Sequence, residues 1–336
     1  MLNAQSKPNL LVARAIFPEI LEKLSDYFVL ETNQEDRIFP SQELVQRLQG
    51  KFGMLCTSSA KVNSELLNAC PELRIVSTLA VGYDNFDLAA CSEAGVLATN
   101  APDVLNETTA DFAWALLMAA ARRVTESEHW LRAGKWEKWS IDCFLGADLH
   151  GSTLGILGMG RIGQAVARRS IGFGMKVIYH NRSRLGPEIE DASNNAEYVS
   201  KQDLFAQADH LVIVVPYSPE AHHLVGAGEL AMMKPSACLV NVARGGIVDD
   251  VALIAALKEK KIAAAGLDVF ENEPRFHPDF LELENVVLTP HIASASRKTR
   301  LAMAHRAADN LIAAVSGRMP LDLLNSASLR KSALSL

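Results

Sequence analysis

No apolar run in this chain approaches the about 20 residues that a membrane-spanning helix needs; the longest, Phe112 to Ala121, is far shorter. The start of the chain, Met1 to Pro8, is polar and lacks the apolar core of a secretory signal. Basic clusters are missing too. The 33 Lys and Arg and the 39 Asp and Glu are spread along the chain, and the net charge of −6 argues against nucleic acid or an anionic membrane as a partner. Cysteine is sparse: Cys56, Cys70, Cys91, Cys143 and Cys238 are odd in number, scattered and mostly set in apolar runs. Neither a disulfide framework nor a metal site is indicated, and reduced core thiols are expected. No repeat or low-complexity segment appears. A soluble cytoplasmic protein acting on a small molecule is the class left standing.

What is present is apolar residues in regular rhythm. At 336 residues and 49% hydrophobic, the chain can fill more than one core, and two domains are expected. Up to about Asn100, short apolar strands at Leu10–Ile16, Met54–Thr57, Ile75–Ala80 and Val96–Thr99 alternate with helices near Glu19–Tyr27, Gln42–Gln49, Ser64–Ala69 and Leu88–Ala94. One long helix is predicted from Thr108 to about Ala133, opened by a capping Asn106 and apolar almost all round. From Ser152 the alternation restarts, with strands at Thr153–Leu157, Lys176–Tyr179, Leu211–Val215, Cys238–Val242, Ala264–Val269 and Val286–Leu288. This pattern predicts an α/β protein with two doubly wound parallel sheets, a dinucleotide-binding domain and a flavodoxin-like substrate domain, and a cleft between them. A last amphipathic helix, about Lys298 to Ser316, is expected to fold back onto the first domain, followed by a polar tail. The expected domains are residues 1–103 with 292–336, and residues 104–291.

The strongest local motif is Leu154-Gly-Ile-Leu-Gly158-Met-Gly160-Arg-Ile-Gly163, an apolar strand running into Gly-x-Gly-x-x-Gly and then a helix. Gly158 suits the tight turn, Gly160 the approach of a pyrophosphate, and Gly163 close packing of helix on strand. The following strand ends in His180-Asn181-Arg182-Ser183-Arg184, without the acidic residue that would bind a ribose 2′-hydroxyl. Asn181, Arg182 and Ser183, with Arg184, can instead pair with a 2′-phosphate, so NADPH is expected over NADH.

Arg244, Glu273 and His291 each lie just past a short apolar run read as a buried strand. Ligands in such sheets bind beyond the carboxyl ends of the strands, so the three can converge on one small anion. Reduction of a 2-oxo acid needs those groups. Arg244 can hold the carboxylate and polarise the keto oxygen, His291 can donate the proton, and Glu273 can favour the charged ring and fix its tautomer. The blander readings are a surface charge, a loop carboxylate and a satisfied histidine. His180, His222, His223 and His305 receive no role, because no carboxylate or cysteine accompanies them at ligand spacing.

Asn241-Val-Ala-Arg244-Gly-Gly-Ile-Val-Asp249, Gly266-Leu-Asp268-Val-Phe-Glu-Asn-Glu273-Pro274 and Thr289-Pro-His291-Ile-Ala-Ser294, with the glycine turn, resemble the D-isomer-specific 2-hydroxyacid dehydrogenase family over nearly the whole chain. Within it the chain looks most like glyoxylate/hydroxypyruvate reductases, including bacterial enzymes that also reduce 2-ketogluconate; Ser77 to Asp87, Asn106 to Asp111, His180 to Arg184 and the Trp136/Trp139 pair carry that closer likeness.

The resemblance implies the roles already given to Arg244, Glu273 and His291. It further implies that the loop of Leu79, Val81 and Gly82 offers backbone amides to the substrate carboxylate, with Ser294 nearby. Thr109, Arg161, Ile162, Val215, Pro216, Val242, Ala243, Asp268 and His291 would line the cofactor. The protein would be a homodimer whose arm brings Trp139 to the partner's substrate pocket. Ala293 stands where the family often has Gly, and Glu273 argues against the related formate dehydrogenases, which carry Gln there. Rival expectations are an NAD-dependent D-3-phosphoglycerate or D-lactate dehydrogenase and, more remotely, a dinucleotide-sensing corepressor.

Overall fold

The computed structural model describes residues 7–326; the first six residues and the polar tail beyond residue 326 lie outside them. The chain forms two compact units, one running up to Leu105 and again from Ser296, the other from Asn106 to Ala295.

The first unit comprises β1 (Asn9–Val12), α1 (Pro18–Ser25), β2 (Val29–Thr32), α2 (Ser41–Leu48), β3 (Gly53–Cys56), α3 (Ser64–Ala69), β4 (Ile75–Thr78), α4 (Leu88–Glu93) and β5 (Leu97–Thr99). Its five strands pair in parallel in the order β2-β1-β3-β4-β5, the flavodoxin-like winding. Apart from the exposed Asn9, the residues of β1, β3, β4 and β5 are all buried, which is why they read as continuous apolar runs.

In the second unit, α5 (Asn106–Ala121) and α6 (Val124–Arg132) precede β6 (Thr153–Leu157), α7 (Arg161–Arg169), β7 (Lys176–His180), α8 (Pro187–Ala192) and β8 (Glu197–Tyr198). Then come α9 (Lys201–Gln207), β9 (His210–Ile213), α10 (Ala227–Met232), β10 (Cys238–Asn241), α11 (Asp250–Lys258), β11 (Ala264–Leu267) and β12 (Val286–Leu288). The seven strands are all parallel in the order β12-β11-β10-β9-β6-β7-β8, so the winding direction reverses between β6 and β9, the crevice where such sheets take dinucleotides.

The last helix, α12 (Arg297–Val315), belongs to the first unit. It lays Ala304, Ala307, Ala308 and Leu311 against Leu10, Val12, Ile75 and Leu97. Ser77 Oγ donates to the Ala307 carbonyl at 3.1 Å, and Asn310 Nδ2 to that of Asn100 at 3.1 Å. Small alanines let the helix approach the sheet closely, and the buried polar atoms find partners across the contact.

Three expectations are corrected. The long helix is two: Arg123 adopts φ 53 between α5 and α6, its guanidinium grips Glu126 at 2.6 and 2.8 Å and lies over the Phe144 ring, and Asn106 is the first helical residue. Edge strands β2 and β8 escape the apolar pattern because their residues are exposed or half-buried. Of the five cysteines, Cys143 is exposed and only the other four are core thiols. Among the described residues no helix is long and apolar enough to cross a membrane.

Candidate active site

Strand β6 ends at Leu157 and the chain turns at Gly158 with φ 101, a backbone state that suits glycine. A Cβ there would come within 2.8 Å of the Val215 backbone nitrogen, just past β9. At Gly163 in α7 a Cβ would lie 2.4 Å from the Gly158 carbonyl oxygen, so helix and turn touch. Gly160, the N-cap of α7, differs: a Cβ would meet nothing within 4 Å. The backbone is open there, in front of the first-turn amides and positive end of a nine-residue helix, and this cradle fits a pyrophosphate. Arg161 is exposed and Ile162 half-buried beside it, while Val215 is half-buried and Pro216 exposed beyond β9.

After β7, Asn181 Oδ1 accepts the Met159 amide at 2.7 Å, so this side chain ties the glycine turn to the next strand end. Arg182 and Ser183 are exposed. Arg184 forks onto Glu190 at 2.8 and 2.9 Å, and with Tyr179 Oη donating at 2.7 Å it holds that carboxyl down to about 2. Arg184 thus shares its charge with a carboxylate.

Arg244, Glu273 and His291 follow β10, β11 and β12, neighbours in the sheet whose parallel alignment puts all three on one edge. Each is held by a distinct local device. Asn241 accepts the Ala243 amide at 3.0 Å and donates to the Arg244 carbonyl at 3.1 Å, closing the turn that projects Arg244. At the next residue, Gly245, a Cβ would stand 1.7 Å from the Phe270 carbonyl oxygen, so that turn packs directly on the segment leading to Glu273. Glu273 Oε1 accepts the Phe270 amide at 2.9 Å. Glu273 Oε2 meets His291 Nδ1 at 2.7 Å.

His291 itself has φ 54, a left-handed backbone state uncommon outside glycine, and Asp268 holds it there. The fully buried Asp268 accepts Thr289 Oγ1 at 2.7 Å and the amides of Ile292 and Ala293 at 2.8 Å, while its carbonyl accepts the His291 amide at 2.9 Å. Burial raises its carboxyl above the usual carboxylate range against those donors. The resemblance gives Asp268 to the cofactor; the described hydrogen bonds of its carboxylate all go to the histidine loop, and Asn241 and Asp268 are positioning residues that the strand-end pattern did not reveal.

Burial acts to raise the Glu273 carboxyl, but the hydrogen bond and charge of His291, the Phe270 amide and the charge of Arg244 outweigh it, and its pKa is lowered. Glu273 is therefore a carboxylate across neutral pH, fixed against the His291 ring. Glu273→Gln keeps the shape and removes that charge, so kcat/KM is expected to fall by about tenfold or more. Initial rates of the purified variant and wild type read the loss, and an unchanged kcat/KM excludes the coupling.

The remaining candidates are scattered in burial. Thr109 is buried in the first turn of α5 and Val242 is buried, whereas Ala243 and Ser294 are half-buried. In the first unit, the Leu79 amide donates to the Cys56 carbonyl at 2.9 Å and its side chain packs on the core, so it offers no free amide. Val81 receives Asn100 Nδ2 on its carbonyl at 2.7 Å, and the amides of Val81 and Gly82 take no partner among the described residues. Trp136 and Trp139 are 58% and 74% exposed, which excludes core packing for either.

The glycine cradle lies at the switch point, and Arg244, Glu273 and His291 follow three adjacent strands. Residues 114–293 match the family described as D-isomer specific 2-hydroxyacid dehydrogenase, NAD binding domain. The chain belongs to this family. A glyoxylate reductase of Aeropyrum pernix is 46% identical over 325 residues, 95% of this chain and 96% of that protein, and one of Thermococcus gammatolerans is 44% identical over 323 residues with the same coverage. An NADPH-dependent glyoxylate/hydroxypyruvate reductase from Sinorhizobium meliloti, solved with NADP and malonate, superposes with a TM-score of 0.84 at 35% identity, covering 97% of this chain and 99% of that one. As a D-2-hydroxyacid dehydrogenase, the protein is an NAD(P)-dependent oxidoreductase.

Proposed function

We propose that this dehydrogenase reduces small 2-oxo acids, glyoxylate and hydroxypyruvate first among them and 2-ketogluconate as a larger candidate, to D-2-hydroxy acids, with NADPH preferred to NADH. The observation that carries the reading is the 2.7 Å pair of His291 Nδ1 and Glu273 Oε2 beside Arg244 on one sheet edge. A bound nicotinamide dinucleotide supplies the hydride. The chain's own residues do the rest. Arg244 receives the carboxylate and draws negative charge onto the keto oxygen. With Nδ1 turned to Glu273, His291 presents Nε2 to that oxygen and delivers the proton. The Val81 and Gly82 amides are assigned to substrate binding by family likeness, and an exposed Trp139 arm suits the proposed homodimer.

NADPH preference is supported by the missing acid after β7, the exposed Arg182 and the cofactor named for the Sinorhizobium enzyme. Initial rates with glyoxylate, hydroxypyruvate and 2-ketogluconate, each with NADPH and NADH, test the reading. Turnover of none of them excludes the substrate class, and faster turnover with NADH favours the NAD-dependent alternatives. Arg182→Ala is expected to raise KM for NADPH about tenfold, the worth of one charged hydrogen bond, with NADH changed less than about twofold. Equal effects on both cofactors would take the 2′-phosphate contact away from Arg182.

A further inference from the structure

His222 and His223, which have no carboxylate near them in sequence, acquire one in the fold. Glu271, from the loop after β11, sets Oε1 at 3.3 Å from His223 Nε2 and 3.9 Å from His222 Nε2. One ligand atom from each of the three side chains lies within 4.8 Å of the others. The two rings are stacked, centroids 3.9 Å apart and planes at 22°.

We propose that His222, His223 and Glu271 form a binding site for a divalent transition-metal cation of the zinc class. Three features of the geometry favour an ion over a chance surface cluster. A tetrahedral ion about 2.1 Å from each ligand separates its ligands by about 3.4 Å, close to the carboxylate–imidazole spacings here, and on binding the stacked rings turn apart so that both in-plane lone pairs meet the ion. His222 turns its other nitrogen to an outer partner, Nδ1 lying 3.3 Å from Tyr217 Oη, while His223 Nδ1 faces the Asp249 carboxylate at 3.8 Å, beyond hydrogen-bond distance. The His222 arrangement is how metal-bound imidazoles are oriented.

The backbone is also preset. His223 adopts φ 52, its amide donating to the Gly246 carbonyl at 2.7 Å, and the Glu271 amide donates to Asp250 Oδ2 at 3.2 Å. Two imidazoles and a carboxylate suit zinc-class ions, whereas magnesium and calcium want oxygen alone. The ligands come from the loop after β9 and the loop carrying Glu273, with Gly246 of the Arg244 turn bonded to His223. A bound ion therefore clamps the loops that carry the catalytic side chains without being one of the reacting groups.

The test uses the full, tag-free chain after chelator treatment, titrated with Co2+ alone, followed by its visible absorption, and with Zn2+ alone by calorimetry. One ion per chain is expected, with a rise in Tm on adding Zn2+. His222→Ala, and His223→Asn, chosen because asparagine tolerates the left-handed backbone, should each weaken binding at least about tenfold, and Tyr217→Phe should weaken it by about that factor through the outer partner. No binding by the wild-type chain, or binding that survives replacement of both histidines in a chain whose circular dichroism is unchanged, overturns the site.

Discussion

His291→Ala is expected to lower kcat/KM for reduction by about three to four orders of magnitude, the upper part of what a positioned general acid contributes. The loss is chemical. The His291 ring is 41% exposed and its one described hydrogen bond is to Glu273, so truncation opens no buried cavity. The backbone state with φ 54 is held from outside the side chain, by the Asp268 carbonyl and by the bonds of its carboxylate to Thr289, Ile292 and Ala293. His291→Asn is the sharper variant, since asparagine accepts the left-handed state and keeps a polar side chain without a titrating proton. Steady-state kinetics of both variants, alongside circular dichroism and dinucleotide binding, separate chemistry from folding. Cofactor affinity should change little while turnover collapses, and either variant working within about tenfold of the wild-type rate removes His291 as the proton donor.

Much of the fold was legible because the buried strands are short apolar runs and the glycine turn interrupts one of them at a fixed place. β6 and β12 lie over the residues the apolar pattern marks, Thr153–Leu157 and Val286–Leu288. Edge strands lack that signal: Val29–Thr32 and Glu197–Tyr198 have exposed or half-buried residues, and pairing on one side is enough to make them strands. The helix break at Arg123 depends on a side chain gripping Glu126 and stacking on Phe144, a contact across about twenty residues that periodicity does not register.

The candidate site divides in the same way. Residue type and strand-end position single out Arg244, Glu273 and His291, but the framework around them is written in contacts. Asn241 and Asp268 read as ordinary strand-end polar residues until their hydrogen bonds are seen, and Arg184 shares its charge with the buried Glu190 carboxylate. His222 and His223 meet Glu271 across 48 residues, beyond any spacing rule.

Arg244→Ala is expected to cost about three orders of magnitude in kcat/KM, because two separate contributions go with one side chain. The first is the charge that receives the substrate carboxylate; truncating one partner of a hydrogen-bonded charge pair costs about 2–5 kcal/mol. The second is polarisation of the keto oxygen by the planar guanidinium as negative charge develops there. The turn should survive, since Asn241 bonds the Arg244 and Ala243 backbone and Gly245 packs on Phe270 whatever side chain stands at 244. Arg244→Lys discriminates between the contributions. A lysine restores a point charge without the planar fork, and should recover about tenfold in kcat/KM over alanine, mostly through KM, while kcat stays low because the keto oxygen is no longer polarised. A lysine variant as active as wild type would show that charge alone suffices and that the fork polarises nothing. An alanine variant near wild type would remove Arg244 from the mechanism.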